Sequence, residues 1–412
     1  MSKSKLAKNT AMLYILTFSS YAFMLITIPY QTRVLGPEAF GLLGVATAVM
    51  TFVGLLLDFG FILYATGEIT KTKNNKDGIN TLYSSVTYIK LILAVFSAIL
   101  LVIASMYISF VADNMTLFSL YLLAYIAQAL LPDFLYRGME DMTPITLRSI
   151  LARSIFLLLI FTFLKSSDQY LLVPMFLLIS NTLALIFAWI DVYKRFNIKL
   201  SRVKTVSIIN AFKASSQFFF SRIATTIYGA SSTLIVNMIT PGASVGYFAS
   251  ADKLVTTAKT GMSPIADSIY PYMINKKEYS LLKNILLVTS FFSILCCIIV
   301  FLNAEAVISL LFGADFIKAA PILKALLPIL VITPAQYLLG FPALSPIGLQ
   351  KHANYSIFVS VACYVLILVA LIMLHITITP VTIALTMSAS EIASFIYRLS
   401  IVTLAKYKWR LI

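Results

Sequence analysis

Charge is the scarcest thing in this sequence. Only 11% of its 412 residues are Asp, Glu, Lys or Arg, against about 25% in soluble domains. With 60% hydrophobic residues and a mean hydropathy of +0.93, that deficit excludes a soluble globular protein and implies a polytopic membrane protein. Cysteine is almost missing. Cys296, Cys297 and Cys363 sit in apolar runs with no disulfide or metal spacing and read as small buried hydrophobes. The two histidines, His352 and His375, fall at opposite membrane faces and cannot share a metal. No Gly-x4-Gly-Lys-Ser/Thr motif occurs, which excludes a P-loop. No Asp-x-Asp pair of the kind many sugar-nucleotide transferases use is present. The outward loops are short and leave no room for a polymerase or ligase domain. Neither a metal nor a cofactor is expected. A cleavable leader is also not evident: Lys3, Lys5 and Lys8 run into an apolar stretch without a small-residue cleavage site, so a retained first span is expected.

What is there is a series of apolar runs. They cover about 10–31, 41–66, 81–111, 115–136, 144–164 and 169–190, then 209–239, 245–271, 284–304, 320–342, 354–375 and 378–403. At ~20 residues per helical crossing, 412 residues accommodate about twelve spans. Prolines 264, 328, 334, 342 and 346 are candidate kinks and hinges. Between spans, twenty Lys and Arg fall on one side of the membrane and three, Arg33, Lys165 and Lys318, on the other. The positive-inside rule then puts both termini in the cytoplasm. The net charge of +15 is thus mostly topogenic and not a signature of nucleic-acid binding; Arg137 and Arg148 are counted among these loop cations.

Eight cations remain within the spans: Lys90, Arg153, Lys213, Arg222, Lys253, Lys259, Lys324 and Arg398. Each costs ~3 kcal/mol at a helix centre on insertion scales. Lys213, Lys324 and Arg398 lie near span ends, where a long side chain can snorkel. Arg153, Arg222, Lys253 and Lys259 lie deeper and point either to a wet polar cavity or to ion pairs within the bundle. Lys90 is a further candidate.

The stretch Asp252–Ile269 carries this pattern most clearly. At ~100° per residue, Asp252, Lys253, Thr256, Thr257, Lys259, Thr260, Ser263, Asp267 and Ser268 share one half of a helix. Leu254, Val255, Ala258, Met262, Ile265, Ala266 and Ile269 take the other. The expected role is one wall of a hydrated cavity. The same face recurs earlier. A shift of 205 residues sets Gly41 on Gly246, Thr47 on Asp252, Thr51 on Thr256 and Asp58 on Ser263. A shift of 210 sets Arg137-Gly138-Met139-Glu140-Asp141 on Ile347-Gly348-Leu349-Gln350-Lys351. Two six-span halves in parallel orientation are therefore expected: spans 1–6 in residues 1–190, a basic linker at 191–208, and spans 7–12 in residues 209–412. Repeats of this kind hold a substrate at their interface and alternate access by rocking.

Several blocks carry a family resemblance. Pro29-Tyr30-Gln31-Thr32-Arg33-Val34-Leu35-Gly36-Pro37-Glu38-Ala39-Phe40-Gly41 resembles the first signature of the Wzx-type polysaccharide repeat-unit flippases, in the multidrug/oligosaccharidyl-lipid/polysaccharide exporter superfamily. Asp58-Phe59-Gly60-Phe61 and Tyr64 to Lys71 resemble the second, with Gly67 where an arginine is common. Pro132 to Met142 resembles the third, with Phe134 and Arg137 replacing its usual tryptophan and glutamine. Val245-Gly246-Tyr247-Phe248 through Tyr270-Pro271, and Leu311 to Phe316, extend the match over nearly the whole chain.

The resemblance implies an all-α, MATE-like membrane protein of two six-helix lobes around a central cavity. It implies a carrier in the bacterial inner membrane, not an enzyme, that moves an undecaprenyl-diphosphate-linked oligosaccharide from cytoplasm to periplasm. Partners implied are the lipid bilayer, H⁺ or Na⁺, and a polysaccharide polymerase with its chain-length regulator. Arg153, Arg222, Lys253, Lys259 and Lys90 are the expected substrate-binding residues, since cations in a low-dielectric cavity replace phosphate hydration by charge-assisted hydrogen bonds. Asp58, Asp252 and Glu391 are the candidates for ion coupling; the alternative for Asp252 is to neutralise Lys259, two turns away on its own face. Competing readings are a drug or cation exporter of the same superfamily, which would favour a carboxylate-rich cavity, a flippase for another lipid-linked precursor, and a membrane glycosyltransferase.

Overall fold

In the computed structural model the backbone is described for residues 3–73 and 75–409, and side chains for the same residues except 3–7, 220–228 and 406–409. Every regular element among the described residues is helical. Contacts divide the chain into two compact units: residues 1–35 with 45–230, and residues 36–44 with 231–412.

The first helix, α1 (Lys3–Asp58), is two spans joined at a corner, Gly36, with φ 70° and ψ 176°. A Cβ there would meet nothing within 4 Å, so the positive φ alone calls for glycine. A one-residue corner thus replaces a loop between the first two spans. Phe59 (φ 40°) and Gly60 (φ 77°) then step the chain into α2 (Phe61–Lys71). The first unit continues with α3 (Lys76–Tyr107), whose Asn75 side chain accepts a hydrogen bond from Gly78 N at 3.0 Å. The short α4 (Ser109–Asp113) precedes α5 (Met115–Ala129) and α6 (Asp133–Gly138). These last two form one span broken at Leu130–Pro132. Then follow α7 (Thr143–Phe163), α8 (Leu172–Phe196) and the start of α9 (Thr205–Ile239).

Phe61, Ala65, Ile69, Val86 and Leu135 form the fully buried centre of this unit. One end of it is tied by polar contacts around the α6–α7 turn. Arg195 on α8 pairs with Asp141 at 2.8 Å, Lys73 with Glu140 at 2.6 Å, and the Asn9 amide donates to Glu140 O at 2.7 Å. Tyr136 donates to Asp191 at 2.8 Å. α6 meets α2 closely: a Cβ on Gly138 would lie 2.6 Å from Cβ and Cγ2 of the buried Ile69. Gly138→Ala is therefore expected to cost about 1–3 kcal/mol, the usual range for overpacking a filled site. Thermal unfolding in a fixed detergent measures it; an unshifted midpoint would contradict the packing.

The second unit contains α10 (Ala243–Gly261), α11 (Ser263–Lys276), α12 (Tyr279–Leu302) and α13 (Ala304–Phe312). α14 (Ala320–Leu339) and α15 (Phe341–Leu344) form another broken span, followed by α16 (Gln350–Met373) and α17 (Pro380–Trp409). α14 is central, packed against α17, α12 and α10. Leu326, Leu323, Ile383 and Ala384 are almost wholly buried there. α12 by contrast exposes Leu287, Phe291, Ile298 and Leu302, the surface a bilayer covers. Of the expected kinks, Pro328 and Pro334 lie inside α14, whereas Pro264 and Pro342 occupy first turns and Pro346 a short 3₁₀ turn.

Eight helical stretches among the described residues are long and apolar enough to cross a membrane, the first of them, Lys8–Lys71, long enough for two crossings. α9, α10–α11 and α17 supply the other three of twelve. The repeat is visible in the broken spans. Asp141 N bonds to Tyr136 O, and Leu349 N to Leu344 O, both at 2.9 Å. These bonds close helix ends around a left-handed residue, Glu140 in one case and Gly348 in the other. The offset is 208 (348 against 140), and it also sets Asp133, which starts α6, on Phe341, which starts α15. The shift of 210 read from the sequence is therefore corrected: the turns align by hydrogen bonding, not by their glycines.

Candidate functional site: a basic cavity in the first unit

The broken α5–α6 span opens a cavity of about 690 Å³ within the first unit. α1, α3, α5, α6 and α7 all contribute to its wall. Among the described residues four cations line it, Lys90, Arg137, Arg148 and Arg153, with two carboxylates, Asp58 and Asp133. Hydroxyl and amide groups of Thr17, Ser20, Thr51, Tyr125 and Gln128 complete a polar lining.

Each cation is held differently. Lys90 is 6% exposed and its ammonium donates to Ala129 O at 2.5 Å. That carbonyl sits where α5 ends, so helix termination supplies an acceptor. The ammonium also stands 5.4 Å from the centre of the Phe134 ring. Asp58 and Asp133 are its charged neighbours. Arg148 is 3% exposed and donates through Nη2 to Asp133 Oδ1 at 2.6 Å. Its Nη1, with Arg153 Nη1 and Arg137 Nε, is buried without a hydrogen-bond partner. A buried donor left unmatched costs about 1–3 kcal/mol, more when charged. Three such atoms on one cavity wall form a site able to take acceptors that carry negative charge.

Arg153, Lys90 and Asp58, singled out in the sequence, are thus brought together here. Arg137 and Arg148, counted there with the loop cations, line the same cavity. Being near span ends hid them; the break at Leu130–Pro132 and the turn at Glu140 fold both back over the site. The side chain of Arg222 lies outside the described residues.

The remaining candidates belong to the second unit. Lys253 is exposed on α10 and Asp252 half-buried beside it. Lys259 does not pair with Asp252. It forms an ion pair with Glu391 of α17. Glu391 also accepts from Gln336 Nε2 at 2.8 Å, on its carboxylate and on its backbone oxygen. Arg398 donates to Gln336 O, and through Nε to Ser356 Oγ at 2.7 Å. This is a connected polar network across α10, α14, α16 and α17. The apolar half of α10–α11 turns elsewhere: Leu254, Ala258, Met262, Ile265 and Ala266 line a separate cavity of about 510 Å³ with almost no polar surface. Among the described residues no cluster of His, Cys, Asp and Glu could hold a metal ion.

Comparison with known proteins agrees with this architecture. A protein of Escherichia coli (strain K12), provisionally named an O-antigen transporter, is 24% identical over 359 residues, covering 86% of this chain and 85% of its own. A Shigella dysenteriae protein of the same name is 26% identical over 280 residues, covering 66% and 68%. Among solved structures, the lipid II flippase MurJ in an inward closed conformation superposes with a TM-score of 0.73 at 14% identity, over 95% of this chain and 87% of that one. An inward-facing multidrug-resistance MATE transporter of the MOP superfamily gives 0.72 at 16%, over 97% and 99%. At such identities these two likenesses are of fold. The family described as polysaccharide biosynthesis protein matches residues 6–277, more than half of the chain, and the chain belongs to that family.

Proposed function

We propose that the protein moves an undecaprenyl-diphosphate-linked oligosaccharide across the bacterial inner membrane by alternating access. The observation that supports this most is the sign and state of the first-unit cavity: among the described residues, four cations against two carboxylates, with three guanidinium nitrogens unmatched. A diphosphate and its sugars cannot cross ~30 Å of hydrocarbon unaided, and a pre-built set of cationic donors offsets the loss of their hydration. A cationic drug would meet repulsion in the same cavity, which disfavours the exporter reading. Arg153 and Lys90 serve the anionic part of the ligand in the first unit, Lys253 and Lys259 do so in the second, Arg222 is a further candidate, and the lipid tail remains in the bilayer. Asp58, Asp252 and Glu391 couple movement to H⁺ or Na⁺. The sugars are those of an O-antigen or capsule unit.

The test is translocation of a lipid-linked repeat unit in proteoliposomes. Arg153→Ala removes one charged donor, a contribution of about 1.5–3 kcal/mol, and should lower the rate at subsaturating ligand by about tenfold or more at ~1.4 kcal/mol per decade. An unchanged rate would remove Arg153 from the site, and no movement by the intact protein would end the flippase reading. Asp252→Asn should abolish acceleration by an imposed ion gradient while basal exchange persists; a wild-type response would strike Asp252 from the coupling groups.

A further inference from the structure

We infer that Asp133 is a resident counter-ion that occupies the anion site of the first unit and is displaced by the ligand's phosphate. This rests on the reading that the cavity receives a diphosphate. Among the described residues three arginines line that cavity, and of these three Arg148 alone has a carboxylate partner, through one of its two terminal nitrogens. The other, together with Arg137 Nε and Arg153 Nη1, is buried and unmatched. A single carboxylate oxygen at 2.6 Å therefore leaves the site under-filled. A diphosphate offers more acceptor oxygens and more charge than one carboxylate, and so can satisfy several guanidinium groups at once.

Asp133 is placed to give way. It is the first residue of α6, directly after a non-helical Pro132 (φ −84°, ψ 42°). Its side chain is 23% exposed, whereas that of Arg148 is 4% exposed. The arginine is fixed in the wall and the acid stands at the edge of the cavity. A second cation is near: Lys90, which already feels the charge of Asp133. A phosphate that takes Arg148 can thus leave Asp133 beside Lys90, so the displaced carboxylate is not stranded.

The exchange has a use. A carrier must bind and then let go. An internal competitor lowers the apparent affinity by the fraction of time it holds the site, and it re-forms its pair as the ligand departs. The acid therefore favours release. The equivalent positions of the other half hold no such pair. At the offset of 208, Phe341 stands where Asp133 does and Ser356 where Arg148 does.

The experiment titrates the purified full-length protein in nanodiscs with inorganic pyrophosphate at fixed ionic strength, by calorimetry, with sulfate as a second anion. Asp133→Asn, close in shape but uncharged, should bind pyrophosphate about tenfold more tightly than wild type, and Asp133→Ala should shift in the same direction. Asp133→Glu should stay within about twofold of wild type. Arg148→Gln should lose binding in either background. A gain for pyrophosphate larger than that for sulfate would identify the diphosphate; equal gains would reduce the site to a general anion site and overturn the diphosphate part of the inference. If Asp133→Asn and Asp133→Ala bind no more tightly than wild type while wild type binds, the counter-ion role is overturned and the cavity's role stands. If no variant binds pyrophosphate, both fall. Should the Asn protein not accumulate, the Ala and Glu pair decides by the same signs.

Discussion

Replacing Gly246 by alanine is expected to leave almost no folded protein in the membrane. In the second unit, α10 crosses the segment Gly36–Gly44 so closely that a Cβ on Gly246 would lie 1.9 Å from Pro37 O and 2.8 Å from Pro37 C. Both obstacles are backbone, so no rotamer change relieves them. Ordinary overpacking costs about 1–3 kcal/mol because neighbours yield; here the helices must separate, and the loss should exceed that range. Without a hydrophobic drive between helices in lipid, close packing of small residues is what holds such a crossing. The neighbouring positions form a graded series. At Gly41 a Cβ would come within 2.9 Å of Gly242 O and Gly246 N, and at Gly44 within 3.1 Å of Ala249 Cβ, a side-chain atom. Yield of monodisperse protein should fall least for Gly44→Ala, more for Gly41→Ala and most for Gly246→Ala. Gly229→Ala is the control, since a Cβ there meets nothing within 4 Å. Equal yields for Gly246→Ala and Gly229→Ala would contradict the crossing.

These glycines also show what the sequence could and could not convey. The shift of 205 that set Gly41 on Gly246 sets Gly44 on Ala249 too, and those equivalent positions touch. Repetition was legible because small residues recur where helices must approach. The spans were legible for a simpler reason: hydrocarbon demands long apolar runs and excludes charge. Arg153 stood out because a deep arginine needs a stated partner or water. The neighbours of Arg153 did not stand out. Arg137 and Arg148 lie close to span ends, and distance from a span end is all that a linear count measures. Their return to the cavity depends on a break at Leu130–Pro132 and a left-handed Glu140, and neither has a strong local signal. Lys259 teaches the same lesson from the other side. Helical spacing offered Asp252 as partner on its own face, but the partner comes from α17, 132 residues away. Periodicity ranks neighbours within a helix and says nothing of which helix packs against it.

That pair carries the second large effect. Glu391→Leu should lower stability by about 3–5 kcal/mol, the range for removing one member of a buried ion pair. Glu391 is 7% exposed, and loss of its side chain strips Lys259 of its carboxylate and Gln336 of one of its two acceptors, the backbone oxygen remaining. Against a total stability of about 5–15 kcal/mol, that is enough to deplete the folded state. Lys259→Met should cost less. The carboxylate left behind still accepts from Gln336 and still faces Arg398, which is held by Ser356 and Gln336 O. The double variant removes both charges and should recover most of the loss, since a buried pair replaced by apolar groups of similar size is often close to neutral. Melting midpoints in one detergent should therefore rank Glu391→Leu lowest, Lys259→Met next and the double variant nearest wild type. Additive losses in the double variant would show that the two side chains do not stabilise the fold as a pair. Gradient-driven transport separates structure from coupling. A double variant that melts like wild type and keeps basal exchange, yet ignores an imposed H⁺ or Na⁺ gradient, assigns the Lys259–Glu391 pair to coupling, whereas one that responds normally confines the pair to holding α10 against α17.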